Sequence, residues 1–320
     1  MGLKPNASTI NLIKKRHPTT FSPGFELMSI LKAVITAGAP NQKSLPLQNL
    51  VDQQGIAKTA LQLIADEAVN AGVDEICIVI CPGEQKNYEK AAGEHATRLT
   101  FVEQTNPRGY GDALYRARDF VGSDNFLHLV SDHVYISPDD VGYAQQLVDV
   151  ANRESCAVSA VQSTRENLLP FFGAIGAKRV ANRSDLYEVK TVLEKPTPTQ
   201  AEQELIVAGL RASHYLCLSG VHVLTPTVME LLEEQIENKS SDANIQLSPA
   251  LETLARRERY LATQVSGTRY NIGVKYGLLM SQMALALSGK DRDQILTDLL
   301  GLVSSSTQRN GQPLLAGDDS

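Results

Sequence analysis

Two hydrophobic periodicities alternate along the first half of the chain. Short, continuously apolar runs such as KAVIT, EICIVIC and FLHLV are typical of buried strands. Between them, segments such as KTALQLIADEAVNAG carry apolar residues at the spacing of an amphipathic helix, here one that ends at Gly72. Repeated β-α-β units predict an α/β fold, with a Rossmann-like mixed, mainly parallel sheet and helices on both faces.

The pattern changes from about Phe171. FFGAIGAKRV, LYEVKTVLEKP and YLCLSGVHVLT are β-rich and follow one another, which predicts antiparallel or mixed pairing inserted into the sheet. Because no internal repeat or clear linker interrupts the chain, we expect one domain over residues 31–303. Residues 1–30 are expected to be an N-terminal extension, and the polar residues 304–320 a mobile C-terminal tail.

Composition narrows the class of protein. With 320 residues, 42% of them hydrophobic and 21% charged, the chain resembles an ordinary globular protein. A net charge of −6 argues against nucleic acid as a partner. No apolar run is long enough for a membrane span, and the N-terminus lacks the apolar core of a signal peptide, so we expect a cytoplasmic protein. The four cysteines show no metal-site spacing and are expected to be core residues.

The first strand runs into the turn AGAPNQKS. Ala37 and Gly38 stand where backbone N–H groups approach a phosphate in nucleotide-binding folds, and Lys43 is the cation of this turn. Asp132 follows another buried strand, so its carboxylate is expected at the same edge of the sheet, where it can hold Mg²⁺ against phosphate oxygens. The alternative is that Asp132 only caps the following turn.

Two further segments contain candidate binding residues. In EQTNPRGYGDAL, Gln104 ends a strand with an amide suited to a nucleobase edge, and Gly109 allows a tight path into a helix. A plain strand-to-helix turn is the alternative. In LEKP, Lys195 is a candidate cation for a sugar phosphate, with Glu194 next to it as a supporting carboxylate. The alternative is that Lys195 is a solvated surface lysine. Asn271 stands in a later turn, GTRYNIGVKYG.

Taken in order, these segments resemble the sugar-phosphate nucleotidyltransferases, most closely the UTP–glucose-1-phosphate uridylyltransferases. That family reads AG-x-GTR, Q-x-x-x-x-G-x-G-H-A, a strand ending P-D-D, VEKP, G-x-Y-V-L-T-P, E-I-Q-L-T-D-A and Y-D-x-G-x-K-x-G. The counterparts in this chain are AGAPNQK, QTNPRGYGDAL, LVSDH, LEKP, GVHVLTP, NIQLSPA and YNIGVKYG. FFGAIGA is similar to the family's x-Y-G-x-V segment, which contacts the sugar.

The resemblance implies the nucleotide-diphospho-sugar transferase type of fold. It also implies a reaction in which a nucleoside triphosphate and a sugar 1-phosphate give a nucleotide sugar and pyrophosphate, with Mg²⁺ as cofactor, and the similarity to the uridylyltransferases implies that the nucleotide sugar is UDP-glucose. The site residues that the resemblance implies are Ala37, Gly38, Gln104 and Gly109 for the nucleotide, Gly173, Glu194 and Lys195 for the sugar phosphate, Asp132 and Asn271 for the metal, and Lys43, Asp132 and Lys195 for catalysis.

This chain departs from the family pattern on the phosphate side. G-T-R is replaced by P-N-Q-K, so Lys43 is the candidate substitute for the arginine, as a point charge without bidentate geometry. The family's P-K-x-x-x-P lysine has no match, since Leu47 and Gln48 stand there, and Asn271 and Asn244 replace two carboxylates. Two hypotheses follow: a divergent nucleotidyltransferase, or a catalytically impaired homologue that binds a nucleotide or nucleotide sugar as a regulatory or assembly subunit.

Two helices are candidates for a subunit interface of a homo-oligomer. They are the segment MELLEEQIEN and the last predicted helix, KYGLLMSQMALALSG. The alternative for both is a solvated face.

Overall fold

The structure is a computed structural model that describes residues 28–138, 140–240 and 242–309. The expected N-terminal extension therefore lies almost entirely outside the described residues. The strands of the described chain are β1 Lys32–Ala37, β2 Asn49–Val51, β3 Ala57–Thr59, β4 Glu75–Ile80, β5 Leu99–Glu103, β6 Phe126–Val130, β7 His133–Ile136, β8 Ala157–Arg165, β9 Gly173–Arg179, β10 Leu186–Glu194, β11 His214–Leu224, β12 Tyr260–Thr263 and β13 Thr268–Asn271.

The helices alternate with these strands in the first half of the chain. They are α1 Ala60–Asn70, α2 Gln85–Ala92, α3 Tyr110–Tyr115, α4 Arg118–Val121, α5 Tyr143–Glu154, α6 Pro198–Glu204, α7 Thr227–Asn238, α8 Leu247–Arg257, α9 Gly277–Ser288 and α10 Arg292–Arg309. Two short 3₁₀ helices span Gly93–Arg98 and Glu166–Phe171. None of the helices in the described ranges combines the length and the apolar character needed to cross a membrane.

Nine strands of the described chain form the central sheet, in the order β5-β4-β1-β6-β11-β8-β12-β10-β9. β5, β4, β1 and β6 run parallel to one another, whereas β11 is antiparallel to β6 and β8, and β9 is antiparallel to β10. The predicted mixed sheet, with antiparallel or mixed pairing in the second half, is confirmed, and parallel pairs predominate only among the strands of the first half.

Apolar residues on both faces of β1 explain why this strand reads as a continuous apolar run. Ile35 packs with Ile64 of α1 and Leu147 of α5 on one face. Val34 packs on the other face with Leu232 of α7 and Leu251 of α8. A strand covered by helices on both faces has no solvent side, so it shows no polar alternation. The predicted helices on both faces are confirmed, and all four cysteines are buried thiols, as expected.

Short strands and the last helix were not apparent in the sequence. β2 pairs with β3 as a hairpin, and β7 pairs with β13 as a separate two-stranded ribbon. Strands of three or four residues are too short to show a period of two. The last helix, α10, continues to Arg309, so residues 304–309 are helical where a tail was expected. The rest of that tail lies outside the described residues.

The strand order places a topological switch point between β1 and β6. From β1 the chain moves outward to β4 and β5, and it then returns to the other side of β1 with β6. Crossovers on opposite sides of one strand leave a crevice at the carboxyl ends, where ligands bind in open α/β sheets. Gly38 follows β1 and Asp132 follows β6, so both lie at this crevice.

Candidate active site

A cavity of about 590 Å³ opens at the carboxyl ends of β1 and β6. The predicted site residues that line it are Ala37, Gly38, Gln104, Gly109, Asp132, Gly173, Glu194, Lys195 and Asn271. Asp132 and Lys195, which are far apart in sequence, thus share one cavity. Lys43 does not line it.

Gln104 is held in one orientation by a buried carboxylate. Its Nε2 donates to Oδ2 of Asp112, at 2.7 Å, and the other oxygen of Asp112 accepts from Arg108 at 3.0 Å and Arg116 at 2.8 Å. Burial acts to raise the pKa of Asp112, but the hydrogen bonds from Gln104, Arg116 and Arg108 bring the pKa below its ordinary value. An ionised carboxylate only accepts, so the amide nitrogen of Gln104 must face it and Oε1 is left for a ligand.

Two glycines allow the backbone to approach closely at this end of the cavity. A Cβ on Gly38 would lie 2.4 Å from Oε1 of Gln104. Gly109 precedes α3 with φ +115°, and a Cβ there would lie 2.6 Å from the carbonyl oxygen of Ile245. Both positions therefore require glycine. Gly38 and Gln104 form one wall, in which Oε1 lies directly against the backbone of the turn after β1.

The ribbon of β7 and β13 forms a second part of the cavity lining. Its register sets Asn271 opposite His133, and the backbone N–H of Ile272 donates to the carbonyl of Asp132 at 2.8 Å. His133 Nδ1 lies 3.1 Å from Oδ1 of Asp132. Burial acts to raise the pKa of Asp132, but His133 and then Arg269 lower it below its ordinary value. The carboxylate is therefore ionised at neutral pH.

The donor set in this part of the lining fits Mg²⁺. Asp132 offers a carboxylate and Asn271 an amide oxygen, and both line the cavity. Oδ1 of Asn271 accepts from the N–H of Gly273 at 2.7 Å, which leaves its second lone pair available. Mg²⁺ binds one or two protein oxygens and completes its shell with water and phosphate oxygens. Asp132 and Asn271 are thus the residues that would hold it.

The β9–β10 pairing builds the predicted sugar side. Glu194 stands opposite Gly173 in the register, and its Oε2 accepts from the hydroxyl of Ser248 at 2.6 Å. A Cβ on Gly173 would lie 2.9 Å from that hydroxyl oxygen. Lys195 follows with φ +48°, and its Nζ lies 3.9 Å from Oε1 of Glu194. The carboxylate of Glu194 is therefore fixed by Ser248, whereas the exposed side chain of Lys195 can move beside it.

Backbone groups of the turn after β1 are hydrogen-bonded to one another within the turn. The N–H groups of Gln42 and Leu45 donate to the carbonyls of Ala39 and Gln42, at 3.0 Å and 2.9 Å. Lys43 pairs with Oε1 of Glu84 at 2.6 Å, an interaction that raises the pKa of the lysine and lowers that of the glutamate. The structure thus places the predicted catalytic lysine outside the cavity lining, next to a carboxylate of another segment.

Arg269 and Phe172 line the cavity and were not predicted. Nη1 of Arg269 donates to the carbonyl of Leu218 at 2.7 Å, and its guanidinium lies 3.9 Å from the centre of the Phe172 ring. Both residues stand inside segments that the sequence singles out, GTRYNIG and FFGAIGA. A basic residue two positions before Asn271 was the available signal.

Tyr110 and His222 also line the cavity as neutral polar residues, and neither was predicted from the sequence. The Tyr110 hydroxyl donates to Nε2 of His128 at 2.6 Å, while Nδ1 of His128 donates to the carbonyl of Val34 at 3.0 Å. Burial lowers the pKa of His128 to about 4, so this ring is neutral. Nδ1 of His222 is hydrogen-bonded to Ser159 at 2.5 Å. Tyr110 is the variable residue of the G-x-G pattern, which carries no sequence signal of its own.

Comparison with known proteins decides the family. Residues 48–270 match the family described as Nucleotidyl transferase, and that match covers more than half of the chain. The chain belongs to the nucleotidyl transferase family. A relative from Streptococcus pneumoniae, a UTP–glucose-1-phosphate uridylyltransferase, is 28% identical over 308 aligned residues, which cover 88% of this chain and 98% of that protein.

Solved structures share the fold of this nucleotidyl transferase. A UDP-glucose pyrophosphorylase complexed with UDP-glucose superposes with a TM-score of 0.65 at 23% identity, over 80% of this chain and 98% of that one. A UTP-bound UGPase from Acinetobacter baumannii gives a TM-score of 0.64 at 20% identity, over 85% and 99% of the two chains. The predicted family and the Rossmann-like fold class are confirmed.

Proposed function

We propose that this nucleotidyl transferase joins UTP and glucose 1-phosphate to give UDP-glucose and pyrophosphate. The observation that carries the proposal is the fixed amide of Gln104, whose Oε1 is an acceptor facing the cavity beside Gly38. Uracil offers an N–H donor at the matching edge, whereas cytosine and adenine have an acceptor nitrogen there. The name of the Streptococcus pneumoniae relative points to the same base and sugar.

The remaining residues fit an in-line displacement at the α-phosphorus. A phosphate oxygen of the sugar 1-phosphate forms the new P–O bond as the bond to pyrophosphate breaks, and no protein nucleophile is needed. Glu194, held by Ser248, would accept from sugar hydroxyls, and Lys195, which lines the same cavity, would pair with the sugar phosphate. Asp132 and Asn271 would hold Mg²⁺, which when bound neutralises charge on the phosphate oxygens. The proposal includes a cytoplasmic location, where both substrates are ordinary metabolites.

A substrate panel tests this function. Purified protein is incubated with Mg²⁺, glucose 1-phosphate and each nucleoside triphosphate in turn, and pyrophosphate is measured. We expect UTP to be used best, with dTTP next, and CTP and ATP slower by about a hundredfold because they leave Oε1 of Gln104 opposite another acceptor. The Gln104→Leu variant is expected to lose that preference, and its melting temperature should fall by a few degrees because Oδ2 of the buried Asp112 loses a donor.

The same panel tests the alternative of a binding subunit without turnover. The observation on its side is that Lys43 is paired with Glu84 outside the cavity. Absence of pyrophosphate with every triphosphate, together with UDP-glucose binding in calorimetry, would contradict the proposed activity and support that alternative.

A further inference from the structure

The charges that line the cavity are unevenly distributed. Its cations are Lys195 and Arg269, and its carboxylates are Asp132 and Glu194. Lys195 is 57% exposed and has Glu194 beside it, whereas Arg269 is mostly buried. A nucleoside triphosphate brings several negative charges into this space. Arg269 is therefore the fixed positive charge that the cavity itself provides.

Arg269 makes no direct ion pair among the described residues, although the carboxylate of Asp132 lies near enough to interact with its charge. Its only hydrogen bond there is from Nη1 to the carbonyl of Leu218, and no ion pair joins it to a carboxylate of the described chain. Burial lowers the pKa of Arg269, although an arginine stays protonated in proteins. A partly buried cation without a direct ion pair is unfavourable, and an anionic ligand would reduce that cost.

The ring of Phe172 helps to hold the guanidinium in place. At 3.9 Å from the ring centre, the central carbon of the guanidinium lies over the aromatic face. One N–H group donates to Leu218, and the others can meet two oxygens of one phosphoryl group. The strand pairing supports this placement, since Arg269 stands opposite Tyr135 in the ribbon that also carries Asn271.

We propose that Arg269 binds a phosphoryl group of the nucleotide and supplies, from β13, the positive charge that the turn after β1 lacks. This inference rests on the proposed function, because the anion is taken to be the triphosphate of the substrate. Lys43, the candidate from sequence, is held by Glu84 outside the cavity lining. The phosphate side of the cavity would thus take its charge from the ribbon of β7 and β13.

The experiment compares ligands that differ only in phosphate. Calorimetry measures the affinity of the full chain and of Arg269→Gln for UTP, inorganic pyrophosphate and uridine. We expect Arg269→Gln to weaken UTP and pyrophosphate by about tenfold or more, with uridine unchanged within twofold. The dependence of UTP affinity on salt should also become less steep, a change that a structural role would not produce. Arg269→Lys should fall between the two.

The matched control is Lys86→Gln, which removes one exposed cation of α2 outside the cavity lining and is expected to change UTP affinity by less than twofold. Equal weakening of UTP and uridine in Arg269→Gln, or no weakening of UTP, would overturn the proposal. If that variant does not fold, Phe172→Leu keeps the charge and removes the ring, and should weaken UTP about threefold. If the protein releases no pyrophosphate, but Arg269→Gln still weakens UTP and leaves uridine unchanged, the proposed function is contradicted and the role of Arg269 in phosphate binding is supported.

Discussion

The cavity lining and the turn after β1 are organised in different ways. In the lining, Gln104 is fixed by Asp112 and Glu194 by Ser248, so both side chains are oriented before a ligand binds. In the turn, Lys43 is held by Glu84 outside the cavity. The difference teaches that the groups proposed for recognition and the cation predicted from the sequence are held by separate parts of this fold.

The largest effect is expected at the metal end. Asp132→Ala removes the one carboxylate among the proposed Mg²⁺ ligands, and pyrophosphate release should fall about a thousandfold. Asp149→Ala, on the exposed face of α5, is the control and should leave the rate unchanged. A rate for Asp132→Ala within tenfold of the parent would mean that the cavity's chemistry does not depend on this end.

A second variant tests the fixed orientation of Gln104. Asp112→Asn keeps the shape, but an amide can donate as well as accept, so Gln104 is free to turn. We expect the ratio of kcat/KM for UTP to that for CTP to fall about thirtyfold, because the turned amide suits the other base edge. Two arginines also lose their buried partner, so urea unfolding should show a loss of about 3 kcal/mol. An unchanged ratio would show that the discrimination between UTP and CTP does not depend on the orientation that Asp112 gives to Gln104.

The sugar end offers a smaller test. Ser248→Ala removes the hydroxyl that holds Glu194, and the KM for glucose 1-phosphate should rise about fivefold while the KM for UTP stays the same. Ser44→Ala in the exposed turn is the matched control and should change neither constant. Equal effects of the two variants would show that Glu194 needs no support.

The smallest effect is expected where Lys43 is held. Glu84→Gln keeps a hydrogen-bond acceptor but removes the charge that pairs with Lys43. If this ion pair only ties the turn to the start of α2, steady-state turnover should change by less than twofold. A large change in either direction would show that the turn takes part in the reaction, and the contrast between the cavity lining and the turn would then be wrong.

The parts of the fold that sequence predicts are those with a strong local signal. β1, β4 and β6 are continuous apolar runs, and α1 has both apolar spacing and a capping box formed by Thr59 and Gln62. β7 and β13 were missed as a pair because their ribbon depends on contacts between residues more than a hundred positions apart. Pairing over such separations leaves no pattern in either segment alone.

The residues of the candidate site also divide into those that the sequence predicts and those that depend on distant contacts. Gln104 and Asp132 could be predicted because each follows a parallel strand of the central sheet, and the carboxyl ends of parallel strands meet at one edge. Arg269 could not, since its direction is set by the ribbon register and by the Phe172 ring. Lys43 follows β1 closely enough to suggest a place in the cavity, but Glu84, from a different segment, binds its ammonium group.

The ribbon of β7 and β13 also has a consequence for the order in which the protein is made. Gln104 and Asp112 are eight residues apart, so a growing chain holds both halves of that pair early in translation. His133 pairs with Asn271 only after β13 has left the ribosome. A chain stalled before residue 268 would therefore hold the Gln104–Asp112 pair without the ribbon, and the proposed metal ligands would be brought together last.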